Sequence, residues 1–198
     1  MIFAVCAWSR QPETQKKPRL GIVCAETVPQ PGILRTAMQA EVERLLPLPS
    51  LEICWLQMEE FRLGDVFNKV VVVKLGSQGK DCATLTRPPN VKRLGATNVA
   101  DGVIIPFVEL DVDWIHWLVG HSSLMSAPQP HVVPLGRALG RVLAHELYHV
   151  LADTKAHSRQ GIAKAEMDPH DLVWSTEGFR VAELERIWKT AFVPSIKD

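Results

Sequence analysis

The chain has 198 residues, of which 46% are hydrophobic and 22% charged, an ordinary composition for one globular domain that buries a core without staples. Lys+Arg and Asp+Glu both number 22, so there is no basic surplus of the kind that nucleic-acid binding rests on. No apolar run approaches the roughly 20 residues of a membrane span, and no charge block or low-complexity tract suggests a long disordered segment.

Met1 to Trp8 is apolar but short and lacks a basic start. It reads either as the remnant of an export signal, which would make the protein secreted or periplasmic, or as a frayed apolar end. We expect residues 1–19 to be a tail and residues 20–198 a single domain. Four cysteines (Cys6, Cys24, Cys54, Cys82) lie far apart with no CxxC pair, which gives no support to a thiolate metal site. They allow two disulfides if the protein is exported and four free thiols if it is not.

In chain order, Leu20 to Val28 reads as a first strand, broken by Pro29, Pro31 and Gly32. Leu34, Met38, Val42 and Leu45 recur at helical spacing, and Pro47 and Pro49 end that helix. Leu51 to Met58 and Val70 to Leu75 are two further strands, the second a continuous apolar run suited to a buried position. Leu75 to Lys80 has only two residues between its glycines and Asp81 after the Lys, so it reads as a tight turn rather than a phosphate loop. Val103 to Val112 is another strand, and Pro106 within it predicts a sheet edge. Trp114 and Trp117 flank His116, either as a cleft wall or as packing of a short helix. Residues 120–136 form a Pro-containing loop, a helix runs from about Leu135 to Asp153, a connector reaches about Asp171, and a last helix spans about Thr176 to Ala191. Ser122 and Ser123 beside His121 lack a nucleophile elbow, and His131 and His170 read as loop residues. The layout is α+β, with the sheet early and the helices late.

The long helix carries His145-Glu146-Leu147-Tyr148-His149, an HExxH pattern. At about 100° per residue the two histidines lie roughly 40° apart around the axis and about 6 Å apart along it, so both imidazoles can bind one zinc ion. Glu146 flanks the same face, where a carboxylate can take a proton from a water activated at the metal. Leu139, Leu143, Leu147 and Val150 form an apolar stripe beside this face, which predicts an amphipathic helix. A catalytic zinc wants a third ligand. His157, Glu177 and Glu166 follow the motif, and Asp153, one turn beyond His149, is better placed behind the ligands than among them.

This arrangement resembles the metzincin clan of zinc metallopeptidases, most closely small bacterial members in which His-Ser-x-x-Gly-Ile follows the helix, as His157-Ser158-Arg159-Gln160-Gly161-Ile162 does here. The likeness covers roughly residues 20–190 in layout and 145–162 in motif. It implies a mixed, twisted sheet with an active-site helix and a C-terminal helix, Zn2+ held by His145, His149 and His157, and Glu146 as general base. It further implies a peptide or protein substrate paired with an edge strand within Leu94 to Val112. The clan pattern HExxHxxGxxH is modified: Ala152 stands at the glycine position and the third His comes two residues late, so the turn after the helix must be longer. Met167 is the one methionine downstream of the motif, and no Tyr follows it, so the methionine turn of the clan has no clear counterpart. Two other readings are a catalytically inactive binding module and a gluzincin-like peptidase with Glu177 as third ligand, at the start of the last helix.

Overall fold

The computed structural model describes residues 17–62, 64–77, 93–121 and 132–194. The first 16 residues, Cys82, Ser122, Ser123 and His131 lie outside them, as does most of the tight turn after Leu75. Strand β1 (Arg19–Glu26) leads through helix α1 (Gly32–Leu45) into β2 (Glu52–Gln57), which pairs parallel to β1. Strand β3 (Lys69–Gly76) joins the other side of β1, also parallel. Strands β4 (Gly95–Ala100) and β5 (Val103–Asp111) form a hairpin, and β5 lies parallel against β3. The sheet order is β2-β1-β3-β5-β4, with only β4 antiparallel.

One face of the sheet carries the core. Leu20, Ile22 and Cys24 of β1, Val71, Val73 and Leu75 of β3, and Val108 and Leu110 of β5 alternate onto it, all buried. They meet Leu34, Met38 and Val42 of α1 and the apolar residues of α3 (Val132–Leu151). The helices α2 (Val112–Gly120), α4 (Pro169–Val173) and α5 (Val181–Ala191) complete the layer around α3. Among the described residues no helix is long and apolar enough to cross a membrane.

Three expectations need correcting. Strand β5 is interior, and β4 is the edge. Pro106 is tolerated because the pairing with β3 begins only at Phe107, while the ladder to β4 is interrupted between Thr97 and Val99. A proline therefore sits at an irregularity and costs no ladder bond. Helix α3 is not amphipathic in the surface sense, since 15 of its 20 residues are buried. Its packing is close: a Cβ on Gly136 would stand 2.6 Å from the Leu34 carbonyl oxygen, and one on Gly140 2.7 Å from that of Met38. Finally, Cys24 and Cys54 are both free thiols, which removes the two-disulfide arrangement.

The end of α3 explains how the chain manages without the expected glycine. Asp153 takes up the left-handed conformation (φ 44°) one residue after Ala152. The Thr154 N–H donates to the His149 carbonyl (3.1 Å), the six-to-one bond of a Schellman closure. Asp is among the few non-glycine residues that tolerate this backbone region, because a short polar side chain adds little strain there. Asp153→Gly should therefore leave thermal stability unchanged or raise it by up to about 1 kcal/mol, whereas the β-branched Asp153→Val should lower it by about 1–3 kcal/mol. Equal stability of the two variants would mean that this turn is not built as described.

Candidate metal centre

His145 and His149 face each other from successive turns of α3, with their Nε2 atoms 3.0 Å apart. Each ring is fixed from behind through its other nitrogen. The Nδ1 of His145 lies 2.8 Å from the Ile162 carbonyl oxygen, and that of His149 2.7 Å from the Thr154 carbonyl oxygen. A carbonyl only accepts, so both Nδ1 atoms carry a proton, and in the neutral ring Nε2 then presents a lone pair. Two lone pairs aimed at one point 3.0 Å apart repel unless a shared proton or a metal ion lies between them. Tetrahedral zinc with Zn–N of 2.0–2.1 Å would hold such nitrogens about 3.3 Å apart, so the pair fits that ion closely.

His157 completes the cluster. Its ring centroid is 5.3 Å from that of His145 and 4.8 Å from that of His149. One ligand atom from each of the three histidines falls within 4.8 Å of the others. His145 and His149 are buried and His157 is exposed, so the group opens on one side. Burial, with neighbouring imidazoles adding to it, pushes His145 down to about 4, and His157 is shifted the same way. Both shifts favour the neutral ring, the form that binds metal.

The loop that delivers His157 is tied at both ends. The left-handed turn at Asp153 starts it, and the Ser158 N–H donates to the Ala163 carbonyl (2.7 Å) to close it. The Ser158 hydroxyl also bonds to Glu183, which caps the start of α5 and is itself held by Arg180. The Ser of the His-Ser-x-x-Gly-Ile segment thus anchors the third histidine to the last helix.

Glu146 is buried beside the histidines, and its Oε2 accepts a hydrogen bond from the Thr97 hydroxyl at 2.7 Å. Burial raises its pKa, opposed by Thr97, His149 and Arg93. Strand β4 can come this close because of Gly95, where a Cβ would meet Val142 at 2.9 Å and Glu146 Cγ at 3.1 Å. Sequence reasoning missed Thr97 and Gly95, since nothing local in the sequence tells which strand will lie over the motif.

A cleft of about 850 Å³ opens above these residues. Leu94 to Thr97 of the β4 side, Trp114 and Leu118 of α2, Met167, and the cations Arg93, Lys155 and Lys164 line it. Trp114 is therefore both packed helix and cleft wall, its ring stacked on Trp117 at 4.9 Å. The other three candidates for the third ligand lie apart from the cluster. Glu166 lines the cleft without joining the histidines, and Asp153 is exposed at the helix end. Glu177 precedes α5, which begins only at Val181, and its carboxylate lies against the Gly161 backbone. A second group, Asp168, His170 and Asp171, is surface structure: Asp168 and Asp171 cap α4, and Lys164 pairs with Asp171 at 2.5 Å.

No described protein family and no curated protein sequence matches the chain. Among solved structures it is similar to the crystal structure of archaemetzincin from Methanopyrus kandleri, with a TM-score of 0.53 and 11% sequence identity. The alignment covers 91% of this chain and 98% of that one. At that identity the likeness speaks for the fold alone. The chain has a metzincin-like fold.

Proposed function

We propose that the protein is a zinc-dependent metallopeptidase whose metal is held by His145, His149 and His157. The observation that carries this reading is the facing pair of Nε2 atoms 3.0 Å apart, each ring oriented by a backbone carbonyl on Nδ1. A third imidazole beside them supplies the donor number of a catalytic zinc site and leaves a side open to the cleft. Three neutral imidazoles suit zinc better than magnesium or calcium, which prefer oxygen.

Zinc bound there would supply a Lewis acid that polarises a scissile carbonyl and acidifies water. The chain's own residues do the rest. Glu146 is the proton carrier, with Oε2 held by Thr97 and Oε1 left to accept a proton from water and pass it to the leaving amine. Its burial moves its pKa upward, toward the range where a carboxyl both takes and returns a proton. Strand β4 has no strand on its outer side among the described residues, so an extended peptide can add to it as a further strand along the cleft. The apolar wall from Leu94, Trp114, Leu118 and Met167 gives a side chain of that peptide a dry surface.

Two outcomes follow. Protein loaded with zinc and freed of excess should hold about one zinc per chain, and His157→Ala should weaken binding by orders of magnitude; no retained zinc in the wild type would end the proposal. Glu146→Gln should keep the zinc while cleavage of an unfolded protein substrate falls by roughly 10²–10⁴-fold. Zinc bound by a wild type that cleaves nothing would instead favour the inactive binding module.

A further inference from the structure

Glu177 engages its N–H, its carbonyl and one carboxylate oxygen around one turn. Its N–H donates to Ser175 Oγ (3.1 Å), and its carbonyl accepts from Arg141 Nη2 (3.0 Å). Its carboxylate Oε2 accepts the N–H of Gly161 at 3.2 Å. The next residue continues the contact, since the Gly178 carbonyl accepts the Ile162 N–H at 3.3 Å. Residues 177 and 178 therefore capture two successive N–H groups of the Gly161–Ile162 turn. The fit is tight: Gly161 is left-handed (φ +73°), and a Cβ there would stand 2.6 Å from the Gly178 oxygen.

The turn matters because the Ile162 carbonyl is what His145 Nδ1 donates to. Behind Glu177, the connection runs into the interior. Arg141 is 2% exposed and pairs with the buried Glu41 of α1 at 3.0 Å, while Arg137 donates to the carbonyls of Val173 and Ser175. The segment from Val173 to Gly178 is thus fixed by arginines on one side and braces the turn on the other.

We propose that Glu177 is a positioning residue of the metal centre: by holding the Gly161–Ile162 turn it keeps the Ile162 carbonyl on His145 Nδ1 and so aims Nε2 at the metal. The inference rests on reading His145 as a ligand. Glu177 itself is exposed, so losing its carboxylate removes little packing and chiefly frees the turn. The role needs an acceptor at that place, which an amide oxygen also supplies, and it does not need a charge.

The full chain would be prepared as wild type, Glu177→Ala, Glu177→Gln and Gly161→Ala. Zinc affinity would be measured by chelator competition, the cobalt-substituted protein by its visible absorption, and the metal-free protein by thermal unfolding. Glu177→Ala is expected to lose about tenfold in zinc affinity and to alter the cobalt spectrum, with metal-free unfolding close to wild type. Glu177→Gln restores both, and Gly161→Ala, which disturbs the turn from its other side, repeats the loss. Unchanged affinity and spectrum in Glu177→Ala or in Gly161→Ala overturn the role. A fall in affinity that merely follows lost stability, with an unaltered spectrum, overturns it as well. If Glu177→Gln fails to bind zinc at all, Glu177 is a ligand. A His145→Ala variant that binds zinc as tightly as wild type would instead overturn the three-histidine reading itself.

Discussion

A helix that passes through the interior must find a partner for every polar group it carries, and α3 carries Arg141, His145, Glu146 and His149 into burial. Much of the rest of the site answers that requirement. Glu41 of α1 meets Arg141, Thr97 of the edge strand meets Glu146, and the carbonyls of Thr154 and Ile162 meet the two histidines. The helix can lie this deep because Gly136 and Gly140 admit the backbone of α1. Close packing and polar satisfaction are the same constraint seen from two sides.

The charged cluster behind the histidines has an uneven balance. One carboxylate, Glu41, serves Arg44, Arg137 and Arg141, and these pull its pKa down against the opposing effect of burial. Arg137 donates further to the carbonyls of Val173 and Ser175 and Arg141 to that of Glu177, while the buried Nε of each has no hydrogen-bond partner among the described residues. A buried pair of this kind is weak evidence of net stability, because desolvation offsets attraction. Its structural consequence is clearer: it fixes an irregular segment that no strand or helix would hold.

How far the sequence could be read follows from the range of each interaction. The spacing of Leu34, Met38, Val42 and Leu45 marked α1, the apolar runs marked β1, β2, β3 and β5, and the five residues from His145 to His149 placed two histidines and a carboxylate on one helical face. These are local patterns. Two short elements escaped although their signals are local: β4 turns into β5 at Asp101–Gly102, and α4 is closed by its own Asp168–Asp171 capping box. Each is too short to show a full period, and Pro106 misled because an irregularity in the ladder, not an edge, accommodates it. The third position was ambiguous because the chain after α3 follows no period. Only the left-handed turn at Asp153 and the Ser158–Ala163 closure show how His157 returns to the cluster. Glu177 had the right chemistry for a ligand, but its carboxylate is committed to the Gly161 backbone.

The central claim is a zinc ion held by three imidazoles through atoms that the fold has already aimed. X-ray absorption at the zinc edge of the loaded full-length chain tests this most directly, because imidazole rings give a multiple-scattering pattern that carboxylates lack. The account predicts three imidazole nitrogens at about 2.0–2.1 Å together with one oxygen from water. A first shell with two imidazoles or fewer, completed by protein carboxylates, would contradict it.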